Sequence, residues 1–177
     1  ALRRHPRCPA PWPSTPPAPH YTGTELMPRD VQRAVKSIGH LDPAPRLECA
    51  NMCDAAFPAC DLVVILDVLH YVDFDAQQRV LERVRDALRA GSAERAVARP
   101  GRLLLRVGDA GDRRGFAISQ WVDRTVTRVR GHRVSPTWGR PLEQWTAALE
   151  RLGFAGQPMP MSAGTPFANV LLVADLD

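Results

Sequence analysis

Lysine is almost absent from this sequence. Lys36 is the only one, so the excess of 23 basic over 19 acidic side chains is carried by arginine. The arginines are scattered along the chain, which reads as a solvated surface and not as a nucleic-acid patch. Aromatic residues make up only 6%, too few for a platform on which unpaired bases stack. No run of about 18 apolar residues occurs, which excludes a transmembrane helix. The arginines near the N-terminus are not followed by the apolar segment of a secretory signal, and the expected location is cytoplasmic. Cysteine is sparse too: Cys8, Cys49, Cys53 and Cys60. No C-x-x-C pair is present and no histidine stands at ligand spacing, so no metal site is expected. The cysteines read instead as small buried residues of a reducing compartment. What remains is ordinary globular material, 45% hydrophobic and 24% charged over 177 residues, enough for one sizeable core.

The first 20 residues hold seven prolines. Proline fixes φ and lacks an N–H, so residues 1–20 predict an extended, poorly ordered segment and not a strand or helix. From Tyr21 to the end, 21–177, one domain is expected. YTGTEL reads as a short strand ending at Glu25. Pro28 suits a first helical turn, and Val31, Ala34, Val35 and Ile38 recur on one face of the helix that follows, with Gly39 as its end. RLECAN, Arg46–Asn51, is a second short strand. CDLVVILD is a third, and its unbroken apolar run suggests burial on both faces, as in a parallel sheet under helices. FDAQQRVLERVRDALRAG is the clearest helix, with Asp73 or Asp75 as cap, a stripe of Val80, Leu81, Val84, Ala87 and Leu88, and Gly91 as terminator. A polar insertion, SAERAVARP, precedes the strand GRLLLRVGD. Phe116–Arg130 is amphipathic, and PLEQWTAALERLGF predicts a helix opened by Pro141 and closed by Gly153. FANVLLVADL is a closing strand that residues from Phe154 to Met161 can pair as an antiparallel hairpin. The order β-α-β-β-α-β-α-α-β-β points to an α/β three-layer sandwich with a mostly parallel, Rossmann-like sheet.

In such sheets ligands bind beyond the carboxyl ends of the strands. The residues there are Glu25, Asn51-Met52, Asp67 to Tyr71, and Gly108-Asp109. Glu25 closes a strand–acid–helix unit, where a carboxylate can accept two hydrogen bonds from a ribose diol. Asp67 ends a buried strand where the chain emerges towards a site, with His70 on the loop beyond. Each has a plainer explanation. A strand-end acid can cap the next helix, and a lone histidine is commonly a structural hydrogen-bonder.

Over residues 20–177 these motifs resemble those of the class I S-adenosylmethionine-dependent methyltransferases. YTGTEL…PRDVQRA is similar to that family's second strand and helix. The resemblance puts Glu25 on the ribose hydroxyls, with Leu26 beside it. ECANMCDAAFP resembles the adenine-lining segment G-D-M-x-D-x-x-F-P, with Ala50 and Asn51 in place of Gly and Asp. There Asn51 would accept a hydrogen bond from the adenine amine, and Met52 would lie against the ring. CDLVVILDVLHY resembles the fourth-strand motif and brings Asp67, Val68 and His70 beside the sulfonium. LRAG…RPGRLLLRVGD resembles the turn and fifth strand, with an insertion. The implied cofactor is S-adenosyl-L-methionine and the implied partner a small-molecule acceptor, with no nucleic acid and no membrane. His70 is the candidate base. His70, Tyr71, Asp109, Gln120 and Trp121 are the candidate substrate residues, and His132 and Trp138 fall in the same region. No metal is implied.

The family's first strand and its glycine-rich D-x-G-x-G-x-G loop do not occur in this sequence. In the family's order, 3-2-1-4-5-7-6, that strand is central, so its absence implies an incomplete sheet and weakened cofactor binding. Two readings therefore stand: a methyltransferase lacking its N-terminal part, and a non-catalytic Rossmann-like remnant or partner subunit. A nicotinamide oxidoreductase is disfavoured, because neither G-x-G-x-x-G nor Y-x-x-x-K occurs. Base methylation is disfavoured by the absence of an N-P-P-Y-type motif.

Overall fold

The parallel pair at the start of the chain is built by a short β-α-β unit. The computed structural model describes residues 19–94, 99–112, 115, 117, 118, 121, 122, 125 and 137–176. It divides the chain into two units, Ala1–Ala56 and Phe57–Asp177. In the first, strand β1 (Thr22–Glu25) runs parallel to β2 (Arg46–Cys49), with Thr22 opposite Arg46 and Glu25 opposite Cys49. A parallel pair needs a crossover, and helix α1 (Pro28–Ile38) supplies it. Pro28 costs this helix no hydrogen bond, since first-turn amides lack an intrahelical acceptor anyway. Asp30 in the first turn and Lys36 in the last both suit the helix dipole. The expected apolar stripe is present but not covered: no α1 residue is buried, and Val35 remains about half exposed.

The second unit contains β3 (Leu62–Leu66), a 3-10 turn (Leu69–Tyr71), α2 (Phe74–Ala93), β4 (Gly101–Gly108), α3 (Leu142–Arg151), β5 (Phe154–Pro160) and β6 (Asn169–Leu176). The sheet order is β3-β4-β6-β5. β3 and β4 are parallel, and β6 runs antiparallel to both neighbours. The C-terminal hairpin is therefore present as expected. Without its first strand, the implied order 3-2-1-4-5-7-6 leaves 3-2 and 4-5-7-6. The two observed sheets have these orders. The fold is thus α/β and Rossmann-like, with a mixed sheet in this unit.

One face of this sheet carries the core. Leu103, Leu105 and Val107 of β4 and Leu172, Ala174 and Leu176 of β6 are buried, together with Val80, Leu81, Val84 and Leu88 of α2 and Trp145, Ala148 and Leu149 of α3. Each large side chain removed from water in this way contributes roughly 1.5–3 kcal/mol. Asp73 caps α2, its Oδ1 accepting from the Ala76 N–H at 2.7 Å. Pro141 stands at the N-cap of α3, and Gly153, at φ +86°, turns the chain into β5.

Several expectations are corrected. β3 is not buried on both faces: Ile65 is buried, but Leu62, Val64 and Leu66 are 46–50% exposed. The three exposed residues alternate with Val63 and Ile65, so they share the face of β3 opposite the core. Gly91 does not terminate α2, which continues to Ala93. It lies in the helix because a Cβ there would stand 2.1 Å from the Cys60 carbonyl oxygen. β2 ends at Cys49 and not at Asn51. The three described cysteines are not buried: Cys49 is exposed, and Cys53 and Cys60 are half-buried. Of the amphipathic stretch Phe116–Arg130 only scattered positions are described, and these are helical. Most of the proline-rich segment and part of the polar insertion lie outside the described residues.

Candidate functional site

In the first unit Glu25 and Asn51 lie at or just beyond the carboxyl ends of two adjacent parallel strands. The exposed Glu25 carboxylate accepts from the Met27 N–H through Oε1 at 2.9 Å, which shapes the entry into α1. The Ala50 N–H donates to the Glu25 carbonyl at 3.1 Å, tying the two strand ends together. Leu26 is 63% exposed. Asn51 folds its side chain onto its own backbone, Oδ1 accepting from the Cys53 N–H at 3.0 Å. Its carbonyl accepts from the Asp54 and Ala55 amides, each at 2.9 Å. This is the local turn chemistry asparagine favours. Met52 follows, half-buried.

In the second unit Asp67 ends β3 with φ +55°, the only non-glycine residue described in the left-handed region. Aspartate tolerates that region better than most side chains, but at a cost. Its carboxylate is paired with the Arg106 guanidinium on β4, and its N–H donates to the Arg106 carbonyl at 3.1 Å. The hydrogen bond that Arg106 donates to Asp67 holds the Arg106 pKa above its ordinary value, against the opposing effect of burial. Both side chains are about one-third exposed, so the pair is worth roughly 0.2–1 kcal/mol after solvent screening.

The chain then passes through Val68, 41% exposed, into the 3-10 turn. Leu69, almost wholly buried, anchors the turn, so that His70 lies half-buried and Tyr71 exposed beside it. Their ring centroids are 4.2 Å apart. The His70 carbonyl accepts from the Trp138 N–H at 2.7 Å, so the turn is joined to the segment before α3.

Asp109, beyond the end of β4, uses Oδ1 to accept from the Gly111 N–H at 2.8 Å and the Leu142 N–H at 2.9 Å. It thereby caps α3 and fixes the loop after β4. Trp121 is 68% exposed. Gln120 and His132 lie outside the described residues. Asp67, Val68, His70, Tyr71 and Asp109 thus stand beyond the carboxyl ends of β3 and β4, whereas Glu25, Leu26, Asn51 and Met52 belong to the other unit. Among the described residues no group of His, Cys, Asp or Glu could hold a metal ion, and no helix is long and apolar enough to cross a membrane.

Sequence reasoning overlooked two residues. Gln77 of α2 is fully buried and donates through Nε2 to the carbonyls of Val72 (3.0 Å) and Trp138 (2.8 Å). Arg140 donates through Nε to Gln77 Oε1 at 2.7 Å and through Nη2 to the Phe74 carbonyl at 3.0 Å. Burial draws its pKa below the ordinary value, with Arg151 adding to the effect. The signal was available for Gln77: it stands three and four residues before Val80 and Leu81, so it is a polar side chain in the apolar stripe.

No family model and no curated protein matches this sequence. Solved structures do match. Magnesium protoporphyrin IX methyltransferase from Synechocystis, crystallised with bound SAH, aligns with a TM-score of 0.60 at 14% identity, over 89% of this chain and 64% of that one. The mitomycin 7-O-methyltransferase MmcR aligns at 0.62 with 20% identity, over 89% and 42%. Human N-acetylserotonin methyltransferase in complex with SAM aligns at 0.57 with 18% identity, over 89% and 40%. This chain therefore has the class I S-adenosylmethionine-dependent methyltransferase fold. It spans less than two-thirds of the length of each of these neighbours.

Proposed function

We propose that this chain is part of an S-adenosylmethionine-dependent methyltransferase acting on a small-molecule acceptor. The observation that carries the proposal is the strand order, 3-2 and 4-5-7-6 in the family's numbering, with Glu25 and Asp67 at the carboxyl ends of strands in the two units. Similarity to enzymes of small-molecule methylation supports it; one such neighbour, an O-methyltransferase family 2 protein from Planctomyces limnophilus, was crystallised with apigenin.

The residues present fit the adenosyl half of the cofactor. Glu25 is exposed and uses Oε1 on Met27, which leaves Oε2 for a ribose diol. Asn51 Oδ1 keeps a second lone pair for an adenine amine, and Met52 would lie against the ring. Asp67 and Val68 would border the sulfonium. The methionine half has no such support, since the sequence contains no glycine-rich loop. The cofactor supplies an activated methyl group. What the protein must add is alignment and exclusion of water. For a hydroxyl acceptor, His70 would take the acceptor's proton. Tyr71, Asp109, Gln120 and Trp121 would shape the acceptor pocket. Neither a nucleic-acid substrate nor a membrane partner is part of this reading.

A second reading is a non-catalytic Rossmann-like remnant or partner subunit. Calorimetric titration with S-adenosylhomocysteine separates the two. Micromolar binding supports the enzyme. No heat at high protein concentration supports the remnant.

A further inference from the structure

We infer that Gln77 is a positioning residue: its carboxamide clamps the His70–Tyr71 turn to the 137–141 segment and so sets the wall of the acceptor pocket. The inference rests on the proposed role of that turn.

Among the described residues, Gln77 is the one polar side chain that is buried, at 0% exposure. A buried carboxamide is costly unless its hydrogen bonds are made. Here both Nε2 protons and one Oε1 lone pair are used, on Val72, Trp138 and Arg140. Its neighbours on the same helix face, Ala76, Val80, Leu81 and Val84, are apolar, so a leucine would serve a purely space-filling role. The bonds instead join segments far apart in sequence: Trp138 and Arg140 lie 61 and 63 residues beyond Gln77.

Those segments converge on His70. Its own carbonyl accepts from the Trp138 N–H at 2.7 Å. Two residues on, the Val72 carbonyl is held by Gln77. The turn is therefore gripped on both sides of Tyr71. Arg140 completes the clamp, with its guanidinium carbon 4.7 Å from the Phe74 ring centre and 5.4 Å from that of Trp145. The Trp138 ring stands edge-on to Phe74 at 5.3 Å. The Arg140 carbonyl accepts from the Ala110 N–H at 3.2 Å, which extends the network to the loop after β4. A fully bonded buried network of this kind fixes one geometry, which a group acting on a bound substrate requires.

The test uses the full chain, with amide hydrogen exchange and NMR of 13C-labelled histidine rings, the His70 signal being assigned from His70→Asn. In Gln77→Met, similar in volume but without polar groups, the Trp138 amide should exchange about tenfold faster or more, as expected for loss of three hydrogen bonds, relative to the amides of β6. The His70 ring signal should shift or broaden. Gln77→Glu keeps an acceptor for Arg140 but loses both donors, and should free Trp138 equally. If Gln77→Met fails to fold, Arg140→Met, altering a half-exposed side chain, should move both signals the same way by less. Unchanged Trp138 exchange and an unchanged His70 signal in a folded variant of lowered stability would overturn the inference and leave Gln77 a core residue only. Calorimetry with S-adenosylhomocysteine on the unmodified chain judges the methyltransferase reading separately. A null there, with the NMR changes intact, sinks that reading and not the clamp.

Discussion

Replacing Gly91 with alanine should destabilise the second unit, although helix propensity alone argues the opposite. Gly91 lies inside α2, where alanine is better than glycine by about 1 kcal/mol. A Cβ at this position, however, would stand 2.1 Å from the Cys60 carbonyl oxygen, 2.5 Å from its carbonyl carbon and 2.7 Å from its nitrogen. All three are backbone atoms, so no side-chain rotation relieves the clash. The segment entering β3 would have to retreat by more than about 1 Å. That movement disturbs the bond from the Cys60 N–H to the Ala87 carbonyl, worth about 0.5–1.5 kcal/mol. Overpacking of a close-packed region costs typically 1–3 kcal/mol and occasionally more. With the propensity gain set against these costs, a net loss of about 1–3 kcal/mol is expected, or roughly 2–4 °C in Tm per kcal/mol for a chain of this size. Urea denaturation followed by far-UV circular dichroism measures it. Ala90→Gly, at an exposed position of the same helix, gives the propensity scale at about 1 kcal/mol. If Gly91→Ala raises the midpoint by about as much as Ala90→Gly lowers it, the close approach of helix and strand does not exist.

Three further outcomes follow, two from the site and one from the ion pair between Arg102 of β4 and Asp175 opposite it on β6. Asp109→Ala removes the acceptor for the Gly111 and Leu142 amides and should cost about 1–2 kcal/mol in urea denaturation, the range of a lost helix cap. Asp67→Val should be at least about 1 kcal/mol less stable than Asp67→Asn, because a β-branched residue fits φ +55° poorly whereas asparagine tolerates it. Equal urea midpoints would refute the left-handed backbone. The hydrogen bond from Arg102 holds the Asp175 pKa below its ordinary value of 3.8. A depressed carboxylate contributes stability that is present above the unfolded pKa and lost as pH falls through the folded one. The urea midpoint should therefore drop more steeply below about pH 4 in the native chain than in Arg102→Met, and identical acid slopes would show that the pair contributes nothing.

The parts of the fold that local chemistry dictates were legible. Pro28, the Asp73 cap, Pro141 and Gly153 mark element ends by what their backbones and side chains can do, and the structure has them at those ends. The C-terminal hairpin was legible because FANVLLVADL is too apolar and β-branched to be anything but a strand. What failed depends on contacts distant in sequence. Gly91 reads as a terminator until Cys60 is known to lie against it. The run Leu62–Leu66 reads as doubly buried, because an apolar sequence does not reveal that one face of β3 stays open. At the site, the strand-end positions of Glu25, Asp67 and Asp109 followed from the pattern, whereas the clamp on the His70 turn did not. Trp138 and Arg140 lie more than 60 residues beyond Gln77, and no local periodicity encodes that meeting.

The plain and the functional explanations of the strand-end groups are less opposed than they first look. Each group uses one oxygen in a described hydrogen bond or ion pair: Glu25 Oε1 on Met27, Asn51 Oδ1 on Cys53, Asp67 Oδ2 on Arg106, and Asp109 Oδ1 on Gly111 and Leu142. An ionised carboxylate has about four lone-pair directions over its two oxygens, so a cap engages one side and leaves the other for a ligand. The cap also fixes the direction in which the second oxygen points, and ordering the side chain during folding spares that entropy at binding. The same holds for Asn51, whose Oδ1 bond to Cys53 assigns the amide orientation. Capping therefore does not count against a ligand role at these positions. It is how a short loop after a strand holds a polar group still enough to meet one.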